Sequence, residues 1–329
     1  MRQVPKEALD AWDPPAYRVD QLGKVSNARP GGLNNWGRFG PEDEKGLANL
    51  FTADRIVEAA RLVKTGKRFS LGLPIGVPSP GARPAPLHLF QHATGDSVLG
   101  DPGMFPGQQV SDDYIVMALQ ATTQIDGLCH VAVDDTMYNG FWGGLVAGGH
   151  GARRLGVHNF ADGVVGRGVL LDVARHVGVD RLDDGFSIEV GLLDEVVRAQ
   201  DVQIEPGDVV LLRTGYLEWW YAQPTPPGIE SLLCGGLSPD TLPWLAEHDV
   251  AMVGADTVAV EVIPWRGDRP LPFHAGAIRD LGMLLGELFD LGELADDCER
   301  DGAYEFLFVA CPLPVVNGAG SPINPVVVK

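Results

Sequence analysis

Cysteine is scarce and scattered: the chain has four, Cys129, Cys234, Cys298 and Cys311, and no two form a C-x-x-C pair. That spacing excludes a disulfide framework and a structural zinc knuckle, and it suits a reducing, cytoplasmic setting. Long apolar runs are missing too, none approaching the roughly 18 residues that span a bilayer, so no membrane partner is expected. Met1 to Pro14 mixes charges with prolines and lacks the basic start and apolar stretch of a secretory signal, which argues against export. Basic residues are few, 25 Lys plus Arg against 44 Asp plus Glu, for a net charge of −19. A field of that sign repels phosphate backbones and argues against nucleic acid as a partner. The carboxylates are dispersed rather than gathered in a block, so their reading is solubility. A dinucleotide fingerprint is absent as well. Gly163 to Gly168 reads Gly-Val-Val-Gly-Arg-Gly but precedes a predicted strand, whereas such a site follows a strand and opens a helix; no nucleotide cofactor is expected.

What is present suffices for a large core. The 329 residues, 45% of them hydrophobic, fit two domains or one large α/β fold. Residues 1–50 are rich in Gly, Pro, Asn and Trp, as in Gly31-Gly-Leu-Asn-Asn-Trp36-Gly-Arg-Phe-Gly40, which predicts ordered loops: an N-terminal arm of the kind that packs on a neighbouring subunit. Thr52 then precedes Ile56, Val57, Ala60, Leu62 and Val63 before Gly66, the pattern of a capped amphipathic helix. Strands are predicted over Arg68 to Ile75, Gly168 to Ala174, Asp208 to Thr214 and Val250 to Asp256, and helices over Ser187 to Gln200 and Ser238 to His248. Tyr114 to Val131, apolar and β-branched at its start, reads as a further strand with a turn after it. The alternation predicts an α/β fold, a mixed sheet flanked by helices.

The most informative run is Gln120-Ala-Thr-Thr-Gln124-Ile-Asp126-Gly-Leu-Cys-His130. On a regular strand its even-numbered members Gln120, Gln124, Asp126 and His130 would face one side. The run resembles the H-x-G-T-H-x-D-x-P-x-H signature of the cyclase superfamily, which includes bacterial kynurenine formamidase and isatin hydrolase. Thr123, Asp126 and His130 match it, Gln120 and Gln124 stand where the signature has metal-ligand histidines, and Leu128 replaces its proline. Longer members of that superfamily tolerate a glutamine at the position of Gln124; Gln120 is the larger departure. The likeness continues through Trp36-Gly, Phe39-Gly-Pro, Val165 to Asp172, Glu205-Pro-Gly-Asp208, Gly254-Ala-Asp256, Val260-Glu261 and Gly320 to Pro325, in similar order. It implies one domain over 51–329 behind the arm of 1–50, a swivelling β/β/α architecture, and a homodimer or homotetramer.

For chemistry, the resemblance implies a hydrolase that opens a cyclic or N-acyl amide, imide or lactone of small size, with a divalent metal activating water. Asp126, His274 in Leu271-Pro-Phe-His-Ala and Glu287 in Leu285-Gly-Glu-Leu would hold the metal, with a carbonyl oxygen from Gln124. Imidazole and carboxylates suit Zn or Mn, and an amide oxygen moves the preference away from zinc. His130, which matches the final histidine of the signature, is the candidate general acid/base, imidazole being the side chain suited to that work near neutral pH. Glu287 is a second proton-transfer candidate, and Gln120 a substrate contact. Two other readings share the pocket. One is a metal-independent ring-forming cyclase or dehydratase of a secondary-metabolite pathway, in which Gln120 and Gln124 hydrogen-bond substrate carbonyls. The other is a non-catalytic small-molecule-binding protein.

Further candidates lie outside the signature. His88 and His92 are four apart, but Pro86 precedes them and a helix is not expected, so a surface or substrate-facing role is assigned to His88. Trp219-Trp220-Tyr221 follows a predicted strand end, where loops line pockets, and Trp220 is a candidate substrate contact, with core packing as the structural alternative. Trp36 of the arm could wall a neighbouring active site as a substrate contact. Arg213 and Arg153-Arg154 suit a substrate carboxylate or surface ion pairs equally. Gly140 to Gly151 contains too many breakers for a helix and is expected to loop over the pocket. Cys129 and His130 are adjacent and point apart on a strand, which argues against a Cys-His dyad.

Overall fold

The computed structural model describes residues 16–81, 83–92, 110–225, 227–228, 232–267 and 269–329; the reading of Met1 to Pro14 lies outside them. Runs such as Val209-Val-Leu-Leu-Arg213 are apolar on successive positions, the signature of strands buried on both faces. They build the parallel heart of a nine-stranded sheet. In chain order its strands are β1 (Arg68–Ser70), β2 (Gln124–Asp126), β3 (Val164–Asp172), β4 (Val209–Arg213), β5 (Met252–Ala255), β6 (Leu284–Glu287), β7 (Glu305–Ala310), β8 (Gly320–Pro322) and β9 (Val326–Val328). Their spatial order is β1-β9-β7-β3-β4-β5-β6-β2-β8. Strands β3 to β6 are mutually parallel, and antiparallel strands extend the sheet on both sides.

Parallel neighbours require crossovers, which are helical here. Val173–Val177 and Val190–Ala199 join β3 to β4, Tyr216–Ala222 and Leu242–Glu247 join β4 to β5, and Pro272–His274 runs into a π-helix, Ala275–Leu281, before β6. The expected α/β mixed sheet flanked by helices is what the chain forms. Ser238 caps its segment, its hydroxyl accepting from the Asp240 amide. Among the described residues no helix is long and apolar enough to cross a membrane.

Several boundaries differ from the sequence reading. The strand expected over Arg68 to Ile75 ends at Ser70, and Gly163 to Gly168 lies largely within β3 rather than ahead of it. Tyr114 to Val131 is not one strand: Asp112–Val116 pairs with Leu87–His92 in a separate hairpin, a turn carries Gln120, and only Gln124–Asp126 joins the main sheet. Trp219-Trp220-Tyr221 lies in a helix rather than a loop. Residues 16–50 pack on their own chain. The Asn35 amide donates to Leu281 O at 2.9 Å, Arg154 pairs with Glu44 at 2.7 Å, and Leu47 is fully buried in the main core.

Asp297, in the helix Gly292–Asp301, ties that helix to the sheet edge through Lys67 at 2.8 Å and Lys329 at 3.3 Å, and also pairs with Arg300 one turn along its own helix at 2.6 Å. Burial pushes its carboxyl up, but the three cations outweigh that and hold it at about 2. A depressed carboxylate adds stability that is present above its unfolded value and lost as pH falls through the folded one. The urea midpoint of Asp297→Asn is therefore expected to lie below the parent's at neutral pH, with the gap closing between about pH 4 and pH 2. Lys67 is half exposed, so salt should narrow the gap.

Candidate functional site

Strand β2 places the first site residues by pairing on both edges. Gln124 lies opposite Glu287 of β6, and Asp126 opposite Gly320 of β8. Alternation sends Gln124 and Asp126 to one face and Ile125, fully buried, into the core behind them. The directly opposed Gln124 and Glu287 meet, the amide Nε2 donating to Glu287 Oε2 at 2.5 Å. Thr123, the matching threonine of the signature, is a staple rather than a reactant. Its hydroxyl donates to Leu288 O at 2.6 Å and accepts from the Leu73 amide at 2.8 Å. Gly320 has no side chain to spare: a Cβ there would sit 2.7 Å from Gln120 Nε2, so glycine lets Gln120 lie against β8.

His274 enters from the helical segment above β6. Its Nε2 lies 3.2 Å from Glu287 Oε1 and 4.0 Å from Asp126 Oδ2, while Nδ1 lies 2.6 Å from Glu261 Oε1. Burial alone would lower the His274 imidazole, but the bonds to Glu261 and Glu287 raise it to about 10. Glu287 is pushed up by its own burial. Both Asp126 oxygens and Gln124 Oε1 are buried without any hydrogen-bond donor. Three buried carboxylates around one imidazole, with oxygen atoms left unpartnered, are a costly arrangement for the bare protein. The same donor set fits a divalent cation, since ligand atoms of Asp126, His274 and Glu287 lie within 4.8 Å of one another.

These groups open onto a cavity of about 250 Å³. Gln120, Gln124, His130, His274 and Glu287 supply its polar lining, Val258, Ile263 and Leu271 part of its apolar wall, and Arg83 its one guanidinium among the described residues. His130 is a quarter exposed, and its Nε2 lies 3.9 Å from Asp126 Oδ1. Backbone strain gathers around the site: Val260, Leu271 and Leu288, adjacent to Glu261, Pro272 and Glu287, have φ of +59°, +52° and +58°. Such left-handed values are costly for branched side chains and need a surrounding structure that imposes them.

The signature residues, His274 and Glu287 are thus brought together, and three other candidates are placed elsewhere. Trp36 donates from Nε1 to Arg279 O at 2.8 Å and stacks under that guanidinium, bracing the π-helix that follows His274. His88 stands on the exposed hairpin, paired with Asp113 at 2.5 Å. Trp220 is buried in a second apolar cluster with Leu73 and Leu288, behind the cavity. Arg213 is held by Asp172 and Glu218. The Cys129 thiol is buried and pushed up to about 12, which removes it as a nucleophile at neutral pH. Sequence reasoning gave no role to Glu261 or Arg83. The signal for Glu261 was available, a lone acid within the apolar run Ala259 to Val262.

Comparison with known proteins places the chain in a family. The Cyclase family model matches residues 67–262. A crystal structure of a novel cyclase is 41% identical over 90% of this chain and 98% of its own, with a TM-score of 0.84. Isatin hydrolase A from Labrenzia aggregata, bound to benzyl benzoate, is 16% identical over 84% of this chain and 99% of its own, with a TM-score of 0.53. An isatin hydrolase bound to the product analogue thioisatinate is 15% identical over 85% and 99%, with a TM-score of 0.54; both show the shared fold. No curated protein matched the chain. With its family match spanning more than half of its length and a relative of 41% identity along nearly all of that relative, the chain belongs to the cyclase family.

Proposed function

We propose that this protein is a hydrolase that opens a cyclic or N-acyl amide, imide or lactone, dependent on a divalent cation. The observation that carries the reading is the convergence of Asp126, His274 and Glu287 on unpartnered buried oxygens beside a small, largely apolar cavity. Asp126, His274 and Glu287 would hold the cation, with Gln124 Oε1 beside them. When bound it would polarise the scissile carbonyl. An oxygen-rich set that includes an amide favours Mn over Zn.

The chain's own residues supply the rest. His130, reaching the cavity and facing Asp126, accepts a proton from the attacking water and returns one to the leaving nitrogen or oxygen. Gln120 orients the substrate carbonyl through its amide. Arg83 at the cavity lining suits the carboxylate that ring opening produces. The cavity's size restricts the substrate to a small ring or acyl group. The protein is proposed to act in the cytoplasm as a homo-oligomer. The hairpin that leaves Phe90 and Val116 each 59% exposed supports self-association.

Elemental analysis of protein purified without added metal or chelator tests the reading. About one equivalent of Mn or Zn per chain is expected, absent from His274→Ala; a parent with no metal that also fails to take it up on reconstitution would overturn it. His130→Ala should keep the metal and lose at least about 100-fold in kcat. A second reading, a metal-independent ring-forming cyclase, is favoured by Gln120 and Gln124 both lining the cavity, as amides able to hold substrate carbonyls. Turnover that survives a strong chelator would select it.

A further inference from the structure

We infer that Glu261 is a positioning residue that fixes the ring of His274, so that Nδ1 carries the proton and Nε2 is turned to Asp126 and Glu287; the inference rests on the proposed cation site. Glu261 is fully buried, which is rare for a glutamate without dedicated partners. Its partners are three donors at the start of one helical segment. Oε1 accepts from the His274 amide at 3.0 Å and lies 2.6 Å from His274 Nδ1, and Oε2 accepts from the Phe273 amide at 3.3 Å. The same carboxylate thus anchors both the backbone and the ring of His274. An imidazole whose Nδ1 donates to a carboxylate has its Nε2 fixed in direction, and such outer partners raise the basicity of the ring as a ligand.

The backbone that carries Glu261 is built for this aim. Val260, with its φ of +59°, donates from its amide to Thr257 Oγ1 at 3.1 Å. Leu237 clamps the next turn, its amide donating to Val260 O at 3.0 Å and its carbonyl accepting from Val262 N at 3.1 Å. Gly236 lies so close that a Cβ would sit 2.5 Å from Val260 O and from the Glu261 carbonyl carbon. A carboxylate needed only to cap a helix requires no such enclosure, since a short polar residue just ahead of the helix suffices.

The test compares Glu261→Gln and Glu261→Ala with the parent after metal stripping. Titration calorimetry with Mn²⁺ alone and Zn²⁺ alone should show affinity reduced about 10-fold in the glutamine variant, which retains an acceptor, and about 100-fold in the alanine variant. Unchanged affinity in both variants, accompanied by a lower melting temperature, would reduce Glu261 to a cap and overturn the inference. A second readout needs no cation: ¹⁵N-edited NMR of the metal-free protein should show a His274 Nδ1 proton protected from exchange in the parent and lost in Glu261→Ala. A freely exchanging Nδ1 proton in the parent overturns the inference by itself. If the parent binds neither ion but protects that proton, the positioning role stands and the cation reading falls.

Discussion

Replacing Asp126 by asparagine is expected to abolish turnover and, at the same time, to stabilise the metal-free chain. The side chain is 1% exposed, and neither oxygen receives a hydrogen bond. The nearest imidazoles are those of His130 at 3.9 Å and His274 at 4.0 Å, beyond hydrogen-bond reach. A buried charge without donors is held against its desolvation cost, and a neutral isostere removes that cost. The metal-free variant should therefore unfold at higher urea, by about 1–3 kcal/mol. With saturating Mn²⁺ the order should reverse, because only the parent gains the free energy of binding. Turnover of any ring substrate the parent opens should fall at least about 1000-fold, the loss of an interaction that stabilises developing charge. Equal destabilisation with and without metal would mark Asp126 as an ordinary structural aspartate and remove it from the site.

Asp256→Ala is expected to cost more stability than any other single substitution considered, about 4 kcal/mol in urea unfolding. Asp256 follows β5 and accepts from the Thr214 amide at 3.0 Å, the Thr214 hydroxyl at 2.7 Å, the Gly215 amide at 2.8 Å and the Tyr216 amide at 3.2 Å. All are buried, so alanine leaves donors that water cannot reach. The turn cannot rearrange to compensate: Gly215 has φ +79°, and a Cβ there would lie 1.9 Å from Asp180 O. Asp256→Asn keeps one acceptor and should cost about half as much. The loss should also reach the cavity, because Thr257, the next residue, accepts from the Leu288 amide at 3.0 Å.

The parallel heart of the sheet was legible because strands buried on both faces are apolar at every position, as in Val209 to Leu212. The grouping of Asp126, His274 and Glu287 was an expectation from family likeness; β2 and β6 are sheet neighbours, which brings Asp126 near Glu287, and the helical segment ahead of β6 brings in His274. The stretch from Tyr114 to Val131 misled because β-branched residues at its start signal a strand without saying which sheet it joins. Here that start pairs in a two-stranded hairpin, and a turn separates it from β2. Trp36, His88 and Trp220 show the limit of reading aromatic and imidazole side chains by type, since each is accounted for by a contact with a residue distant in sequence or by burial. Glu261 was visible as a lone acid in an apolar run, but its role was not. Its partners lie on a segment 13 residues downstream, and no local pattern announces them.

The seating of β2 between β6 and β8 has a consequence for how the chain comes to life. Gln124 and Asp126 leave the ribosome early, yet their pairing partners are Glu287 and then Gly320 to Pro322. Until β6 emerges the segment that bears Asp126 has no ladder to join, until β8 emerges it is paired on one edge alone, and closing so long a loop is slow. The nascent chain can complete β3 to β5 and still lack a site. Catalytic competence should therefore be acquired after the parallel heart in synthesis, and in refolding kinetics cation uptake should trail the burial of the tryptophans rather than accompany it.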